Sequence, residues 1–410
     1  MKKRLLVVTQ YFYPEQFRIN DICCEWIKRG YEVSVLTGIP NYPQGTYFKG
    51  YGIFKRRREN YNGVQIFRVP IFPRGNNGIT LFLNYSSFVI SGWFFSVFLR
   101  TKFDLVFTYE VSPMTQALPA IAIAKKQKIP NVLFIGDLWP ENIEYVAGIK
   151  SAFILNGIGK IVDYIYSKSD VVLTSSQSFI PRIVARGVPC DKIEHWPQYA
   201  EDFYKPCDAH YLREKHGISH NAFVIMFTGN IGYAQGLDIL PSVAQYLKNK
   251  SVAVLFFLVG DGRAKKELQN SIAALNVHEY FYFSERRPAP EIPMYLAIAD
   301  VAFVCFSKGL ISEITIPAKL QSYMACAKPL LVSGDGEVCR IIQDSQAGLS
   351  SPSGDVQMLS ERIIDFTLLN KSERDKMSRN ALVYYKNNYD KEKLLNRADE
   401  IFMSIFERRD

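Results

Sequence analysis

The chain is short of histidine and of paired acids. Its five histidines, His195, His210, His216, His220 and His278, include no pair at zinc-ligand spacing on a regular element; His216 and His220 stand four apart, but in an irregular stretch. No Asp-x-Asp pair occurs, so the carboxylate clamp of metal-dependent sugar-nucleotide enzymes is missing. The expectation is a protein that uses no metal and no resident cofactor. The seven cysteines (Cys23, Cys24, Cys190, Cys207, Cys305, Cys326, Cys339) are odd in number and scattered, and five sit among apolar residues. That pattern fits reduced core thiols rather than a disulfide framework. Nothing repeats at a fixed period, no stretch is low in complexity, and no nucleic-acid module accompanies the interleaved aromatic and basic residues. Lys2, Lys3 and Arg4 run straight into a strand of five apolar or small residues, too short for a secretory leader.

What is present is enough apolar sequence for two full cores. At 410 residues with 48% apolar composition, the chain should hold two domains. A net charge of +9 suits nucleic acid, anionic lipid headgroups or phosphorylated substrates, and does not choose among them. Short β-rich runs (RLLVVTQ, YEVSVLTG, VQIFRVP, DLVFTYE, NVLFIGD, DVVLTSS, KIEHWP) alternate with helical stretches through the first half. AFVIMFTGN, VAVLFFLVGDG, VHEYFYFS and DVAFVCF repeat the alternation in the second. Such alternation predicts α/β architecture with mostly parallel, doubly wound sheets. The divisions fall near 1–200, 201–390 and a helical end, 391–410, joined by a polar linker around Tyr199–His220. Ligands of such sheets bind beyond the carboxyl ends of the strands. Attention therefore goes to the loops Gln10–Asn20, Gly38–Gly52, Glu110–Thr115 and Gly136–Asn142.

Ile79 to Leu99 breaks the pattern. It carries no charge and is bracketed by Arg74 and by Arg100 and Lys102. It is long enough to span a bilayer, yet Asn84, Ser86, Ser87, Ser91, Gly92 and Ser96 interrupt it, and a span would leave an α/β sheet in mid-topology. A span, a buried helix and a helix lying on a membrane surface are all open; the last fits best. Lys55, Arg56, Arg57 and Arg58, just upstream, either favour anionic headgroups by about 1 kcal/mol per charge near the surface or form a solvated loop.

The richest segment is Glu313 to Val332, EITIPAKLQSYMACAKPLLV. Pro317 stands where a first helical residue would be. The amides of Ala318, Lys319 and Leu320, with the Lys319 ammonium beside them, then make an anion site, unless this is an ordinary crossover helix. Two glycine turns flank it: Gly229-Asn230 through Gln235-Gly236, and Gly260-Asp261-Gly262-Arg263, each following a strand. Each is weak alone. Three loops at one end of one sheet point to a nucleoside diphosphate.

In this order, GNIGYAQGLD, LVGDG, the prolyl helix with its lysine and ACAKPLLVSG resemble the donor half of retaining glycosyltransferases of family 4, which have the GT-B fold. YFYPEQFRIND, LTGIPNYPQG, GDLWPENI, GVPCDKI and HWPQYAEDF resemble the subgroup that builds bacterial O-antigens and capsules, where N-acetylfucosaminyltransferases and other amino-sugar transferases sit. The resemblance implies two facing Rossmann-like domains and a C-terminal helix, 391–410, crossing back to the first. It implies a UDP-sugar donor on the second domain and a lipid-linked saccharide acceptor on the first, at the cytoplasmic face of a bacterial inner membrane. The basic run 55–58 and the helix 79–99 would meet that anionic surface. Oligomeric state is left open.

The carry-over is uneven. The family's two glutamates, with seven residues between them, fall on Ile314 and Ser322; Glu313 and Gln321, one residue earlier, keep the spacing and are the substitutes. The family's basic pair on the pyrophosphate falls on Asn230 and Gln235, both uncharged. Lys319 is then the leading cation, with Arg263 and Arg18 behind it. The histidine the family often has at a strand end falls on Asp137, which orients or deprotonates the acceptor hydroxyl, holds the donor sugar, or only caps a helix before Pro140; Glu141 is the second candidate. Anomeric retention comes from the resemblance. Two rivals share the architecture: a UDP-sugar 2-epimerase, for which His195 is the one histidine well placed, and a non-catalytic scaffold subunit.

Overall fold

The computed structural model describes residues 2–75, 77–143 and 151–407. The chain divides at Trp196/Pro197 into two compact units, with Glu407 grouped with the first.

In the first unit the apolar runs become β1 (Arg4–Val8), β2 (Glu32–Gly38), β3 (Arg58–Tyr61), β4 (Val64–Val69), β5 (Leu105–Glu110), β6 (Asn131–Ile135), β7 (Val171–Thr174) and β8 (Ile193–His195). They form one sheet in the order β3-β4-β2-β1-β5-β6-β7-β8, parallel except for β3. Leu5 to Val8 and all six residues of β5 are buried, as expected of strands covered on both faces. The basic run is not simply a loop. Arg58 opens an edge strand that pairs antiparallel with β4 through a two-residue turn, Asn62-Gly63, both at positive φ. An Asn-Gly turn between pairing strands is a strong hairpin signal, and charge on the outermost strand discourages edge-to-edge association.

The helices relevant to the site are α1 (Arg18–Lys28), α2 (Gly78–Phe98), α3 (Ala117–Gln127) and α4 (Ala152–Ser167). α2 is the charge-free segment, and its amphipathicity is reversed. The residues facing inward are Asn84, Phe88, Gly92 and Ser96, four apart and mostly polar or small, while Ile79, Phe82, Ile90, Trp93, Phe94 and Phe98 are exposed. Polar bonds fasten it. Asn84 accepts from the Gln10 amide at 2.6 Å and donates to the Phe72 carbonyl at 2.5 Å. Lys126 of α3 donates to the carbonyls of Ser96, Val97 and Leu99 at its end.

The second unit has a six-stranded parallel sheet, β11-β10-β9-β12-β13-β14. Its strands are β9 (Val224–Asn230), β10 (Leu255–Asp261), β11 (Phe281–Ser284), β12 (Val301–Cys305), β13 (Leu330–Ser333) and β14 (Gly348–Ser351). Alternate residues feed two cores: Met226, Phe257 and Val304 on one face, Phe227, Phe256 and Phe303 on the other. The prolyl segment forms two short helices, α5 (Leu310–Ile314) and α6 (Ala318–Ala325). The chain ends in α7 (Lys371–Asn388) and α8 (Lys391–Glu407). Residues 408–410 of the expected terminal helix lie outside the described residues.

α2 meets α3 where Gly92 lies against Pro119; a Cβ there would come within 2.7 Å of the proline ring. Gly92→Val should therefore lower the unfolding free energy by about 1–3 kcal/mol. Gly157→Ala on α4, where a Cβ meets open space, should leave stability unchanged or raise it by up to about 1 kcal/mol. Urea unfolding of the two variants checks the contrast.

Candidate active site

Strands β9 and β10 end side by side in glycine. Gly229 and Gly260 are register partners at φ of 127° and 153°, and a Cβ on Gly260 would fall 1.9 Å from the Gly229 carbonyl oxygen. Only glycine permits that approach. The same turn brings in Gly262, whose Cβ position lies 2.2 Å from the Ile231 carbonyl oxygen and 2.8 Å from Asn230 Oδ1. Asn230 is exposed and turned toward Gln235 at 3.4 Å; Gln235 Oε1 also accepts the Gly232 amide at 3.1 Å. Asp261 and Arg263 are exposed, Asp261 accepting the Gly262 amide at 2.9 Å.

Into this glycine floor comes Lys319, from the first turn of α6. Its Nζ lies 3.7 Å from the Cβ position of Gly229 and 3.7 Å from the centroid of Phe227. The residue is partly exposed, but the ammonium is buried and has no hydrogen-bond partner. Burial pushes its pKa down to about 7, offset slightly by Cys305. Among the described residues its neighbours are that ring, the glycine floor and Cys305, surroundings in which a cation gains from an anion brought beside it.

The helix start differs in detail from expectation. Pro317 is the residue before the helix, extended at ψ 135°, and not its first member. Its carbonyl accepts the Leu320 N–H at 2.8 Å, so that amide is used. Among the described residues, the Ala318 and Lys319 amides have no such partner. Gln321 and Ser322 are buried and turned onto their own helix. The Gln321 amide donates to the Pro317 and Ala318 carbonyls at 3.0 and 3.3 Å, and Ser322 Oγ to the Ala318 carbonyl at 3.1 Å. Neither side chain is presented to a ligand, which corrects their expected place in the donor site. Ile314 is buried, whereas Glu313 on α5 is exposed, its backbone under Gly336. Of the substitute pair, Glu313 alone faces solvent.

The first unit gathers a second cluster at the carboxyl ends of β5 and β6. Asp137 Oδ2 accepts the Ser112 hydroxyl at 2.7 Å. Ser112 Oγ accepts from Trp139 Nε1 and Asn142 Nδ2, both at 3.1 Å. Trp139 Nε1 and the Asn142 amide nitrogen can only donate, so the single hydroxyl proton of Ser112 must point to Asp137. Oδ2 is thus fixed as an acceptor, and any proton Asp137 takes up goes to Oδ1. Glu110, fully buried, accepts the amides of Ser112 at 2.7 Å and Asp137 at 3.2 Å. Burial and the Asp137 charge hold Glu110's pKa well above the carboxylate range. Asp137 is also raised by burial, but Ser112 and Arg74 oppose the shift. Both carboxyls are thus raised, Glu110 the more strongly, so that as pH falls Glu110 takes up a proton before Asp137 does. Arg74 donates to Tyr11 Oη at 3.2 Å and lies over the Tyr42 ring; Tyr85 of α2 packs near Trp139, ring centroids 6.3 Å apart.

Glu110, Ser112 and Arg74 escaped the sequence reading as residues, although the loop Glu110–Thr115 was marked. The signal for Glu110 was an acid ending a wholly apolar strand; Arg74 lies in an irregular segment with no pattern to mark it. Glu141 does not join Asp137, but lines a shallow cavity with Asp163, Arg182 and Arg186. Arg18 opens α1 with its guanidinium turned inward. His195 ends β8, partly buried.

The family model described as "Glycosyl transferase 4-like domain" matches residues 16–197, and "Glycosyl transferases group 1" matches residues 209–383. The chain belongs to the GT-B glycosyltransferases. Among curated relatives of this glycosyltransferase is WcaI of Escherichia coli (strain K12), named a colanic acid biosynthesis glycosyl transferase, 23% identical over 77% of this chain and 80% of that protein. Among solved structures, sucrose-phosphate synthase of Thermosynechococcus elongatus superposes with TM-score 0.76 at 12% identity, covering 99% of this chain and 100% of that one. Anabaena HepE in complex with UDP gives 0.71 at 17% identity, covering 98% and 100%.

Lys319 makes a pH prediction without any ligand. Its pKa is depressed in the folded state, so from pH 10.5 down to about 7 the unfolded chain holds the proton that the folded chain lacks. Stability of the wild-type protein should rise with pH across that window, and Lys319→Met should remove this contribution. Denaturant midpoints of both proteins at pH 7 and 9 check it.

Proposed function

We propose that this glycosyltransferase moves a sugar from a UDP-sugar to a lipid-linked saccharide with retention of anomeric configuration. The observation that carries the reading is the buried, unpartnered Lys319 ammonium over the paired glycines of β9 and β10. Two negative phosphates would supply its missing counter-charge, with the Ala318 and Lys319 amides beside it. Charge that builds on the departing β-phosphate then meets a fixed cation and two fixed dipoles. On this reading the transfer needs no metal. HepE, solved with UDP, supports uridine as the donor's nucleoside. Glu313 is the exposed acid that would reach the ribose in place of the family's glutamate.

In the first unit, ionised Asp137 has Oδ2 committed to Ser112 and Oδ1 left to accept or orient the acceptor hydroxyl. Buried, protonated Glu110 spares it a second negative charge. The outward apolar face of α2 and the basic residues upstream favour an acceptor anchored in an anionic membrane, at the cytoplasmic face of a bacterial inner membrane. The relative named for colanic acid biosynthesis favours a surface polysaccharide as the product. The motif resemblance favours an N-acetylated or 6-deoxy amino sugar, such as N-acetylfucosamine, on a polyprenyl diphosphate.

UDP should bind the purified protein in a metal-free chelating buffer. Lys319→Ala should weaken that binding by about 10- to 100-fold, the loss of a hydrogen bond to a charged group, while Ile314→Ala changes it little. Calorimetry with UDP and UDP-sugars, and with GDP and GDP-sugars as the competing class, tests this; no binding of UDP or UDP-sugars at millimolar levels ends the reading.

Asp137→Asn should abolish transfer to a lipid extract, weighed by mass spectrometry, with UDP affinity unchanged. In the wild type, transfer should fail as pH drops through a value above the ordinary aspartate range, because burial raises the Asp137 pKa and protonation there removes the acceptor at Oδ1.

A further inference from the structure

The basic run carries a feature that composition alone does not show. Lys55 N–H donates to the Gly52 carbonyl at 3.1 Å, closing a tight turn with Ile53 and Phe54 at its tip. Phe54 is 95% exposed and Ile53 46%. The tip is held there. Arg57, alone of the four basic residues, turns inward and donates to the carbonyls of Ile53 and Arg68. Behind the turn, the Tyr51 hydroxyl donates to Glu59, and Arg56 and Arg68 lie over the Tyr51 ring. Lys49, Lys55, Arg56 and Arg58 are exposed around it. The nearby acid, Glu59, is mostly buried and paired with Arg68 at 2.7 Å, with Arg56 more distant at 3.9 Å.

An aromatic and an aliphatic side chain pinned in water at a turn tip, ringed by cations, match the boundary between acyl chains and anionic headgroups. Solvent alone gives no reason to fix such a pair outward. The turn belongs to the same unit as α2. Arg58 lies over the Phe67 ring, Phe67 packs on Phe95 of α2 at 5.5 Å, and Tyr51, Phe95 and Leu99 share one core.

We propose that the turn Gly52–Lys55 is a membrane-insertion point separate from α2, with Phe54 and Ile53 entering an anionic bilayer and Lys49, Lys55, Arg56 and Arg58 resting on lipid phosphates. It rests on the membrane reading above, and adds an anchor beside α2. Two anchors restrain rotation of the first unit about the long axis of α2, which one helix does not.

The test uses the full-length protein and vesicles of phosphatidylcholine with or without roughly one-third phosphatidylglycerol. Ile53→Ser/Phe54→Ser should lower partition onto the anionic vesicles by at least about tenfold, with UDP affinity unchanged. Insertion itself is read by brominated lipid. Trp93 reports on α2 in the wild type, and Phe54→Trp in a Trp93→Phe background reports on the turn; both should be quenched. Quenching of Trp93 without quenching of the Phe54→Trp reporter overturns the proposal and leaves membrane docking by α2 standing. No vesicle binding by the wild type overturns both. A monomer–dimer equilibrium abolished by Phe54→Ser, with vesicle partition unchanged, places a second copy of the chain on the turn and overturns the proposal.

Discussion

A buried ammonium with no acid beside it is the constraint around which the second unit is built. Taking a cation out of water costs several kcal/mol unless it is paired, and the Phe227 ring returns only part of that. The Lys319 Cα is fixed in the first turn of α6, and its stem runs over Phe227 toward the gap above Gly229. The glycines are the other half of the device. Any side chain at 229 or 260 would fill the space that the ammonium faces or force β9 and β10 apart. A cation stored without its counter-ion has larger differential affinity for a diphosphate than a lysine already paired on the surface.

The first unit handles charge of the opposite sign by the same principle and a different device. Two carboxylates at adjacent strand ends cannot both ionise in a dry site. The hydrogen-bond polarity around Ser112 decides which of them does. Trp139 and Asn142 force the serine proton onto Asp137, stabilising its anion, while Glu110 is raised by its complete burial and by the Asp137 charge against the backbone amides it accepts. Removing the serine hydroxyl would lose more than one bond, since it would leave two buried donors without an acceptor.

The fold was legible because it rests on local rules, and so was the gathering of two glycine turns and a prolyl helix at one end of the second sheet. Apolar runs alternating with helical stretches give a parallel sheet; a proline before a helix and glycines after strands mark carboxyl-end loops. The side-chain roles were less legible, for a physical reason. Leaving seven residues between Glu313 and Gln321 preserves a spacing but says nothing of rotamers. On α6, the nearest acceptors for the Gln321 amide and the Ser322 hydroxyl are that helix's own first carbonyls, so both turn inward. Glu110 was hidden because an acid ending a buried strand reads as the start of a loop. The Asn62-Gly63 hairpin is written plainly in the chain, but the run of basic residues before it draws attention to charge, as a headgroup contact or a solvated loop, and away from the edge strand that Arg58 opens.

α2 shows how a helix with an outward apolar face can be built without weakening the sheet it covers. An ordinary surface helix buries its apolar stripe and wets the other face; here Asn84, Gly92 and Ser96 turn inward and the large apolar residues outward. Burying the polar stripe is tolerable because Asn84 is satisfied by Gln10 and the Phe72 carbonyl, and Gly92 lets α3 approach closely. That bond to Gln10 has a further consequence. Gln10 lies two residues past the end of β1, next to Tyr11, whose hydroxyl accepts from Arg74, and Arg74 is the charge that lowers Asp137 against its burial. Tyr85, one residue beyond Asn84, reaches Trp139 over the same serine. On the membrane reading, the depth at which α2 lies in lipid thus sets the height of Asp137 above the bilayer, with no flexible joint between them. A saccharide whose anchor stays in the acyl layer would meet that carboxylate at a distance fixed by its own headgroup, so acceptor length becomes a matter of reach as well as recognition.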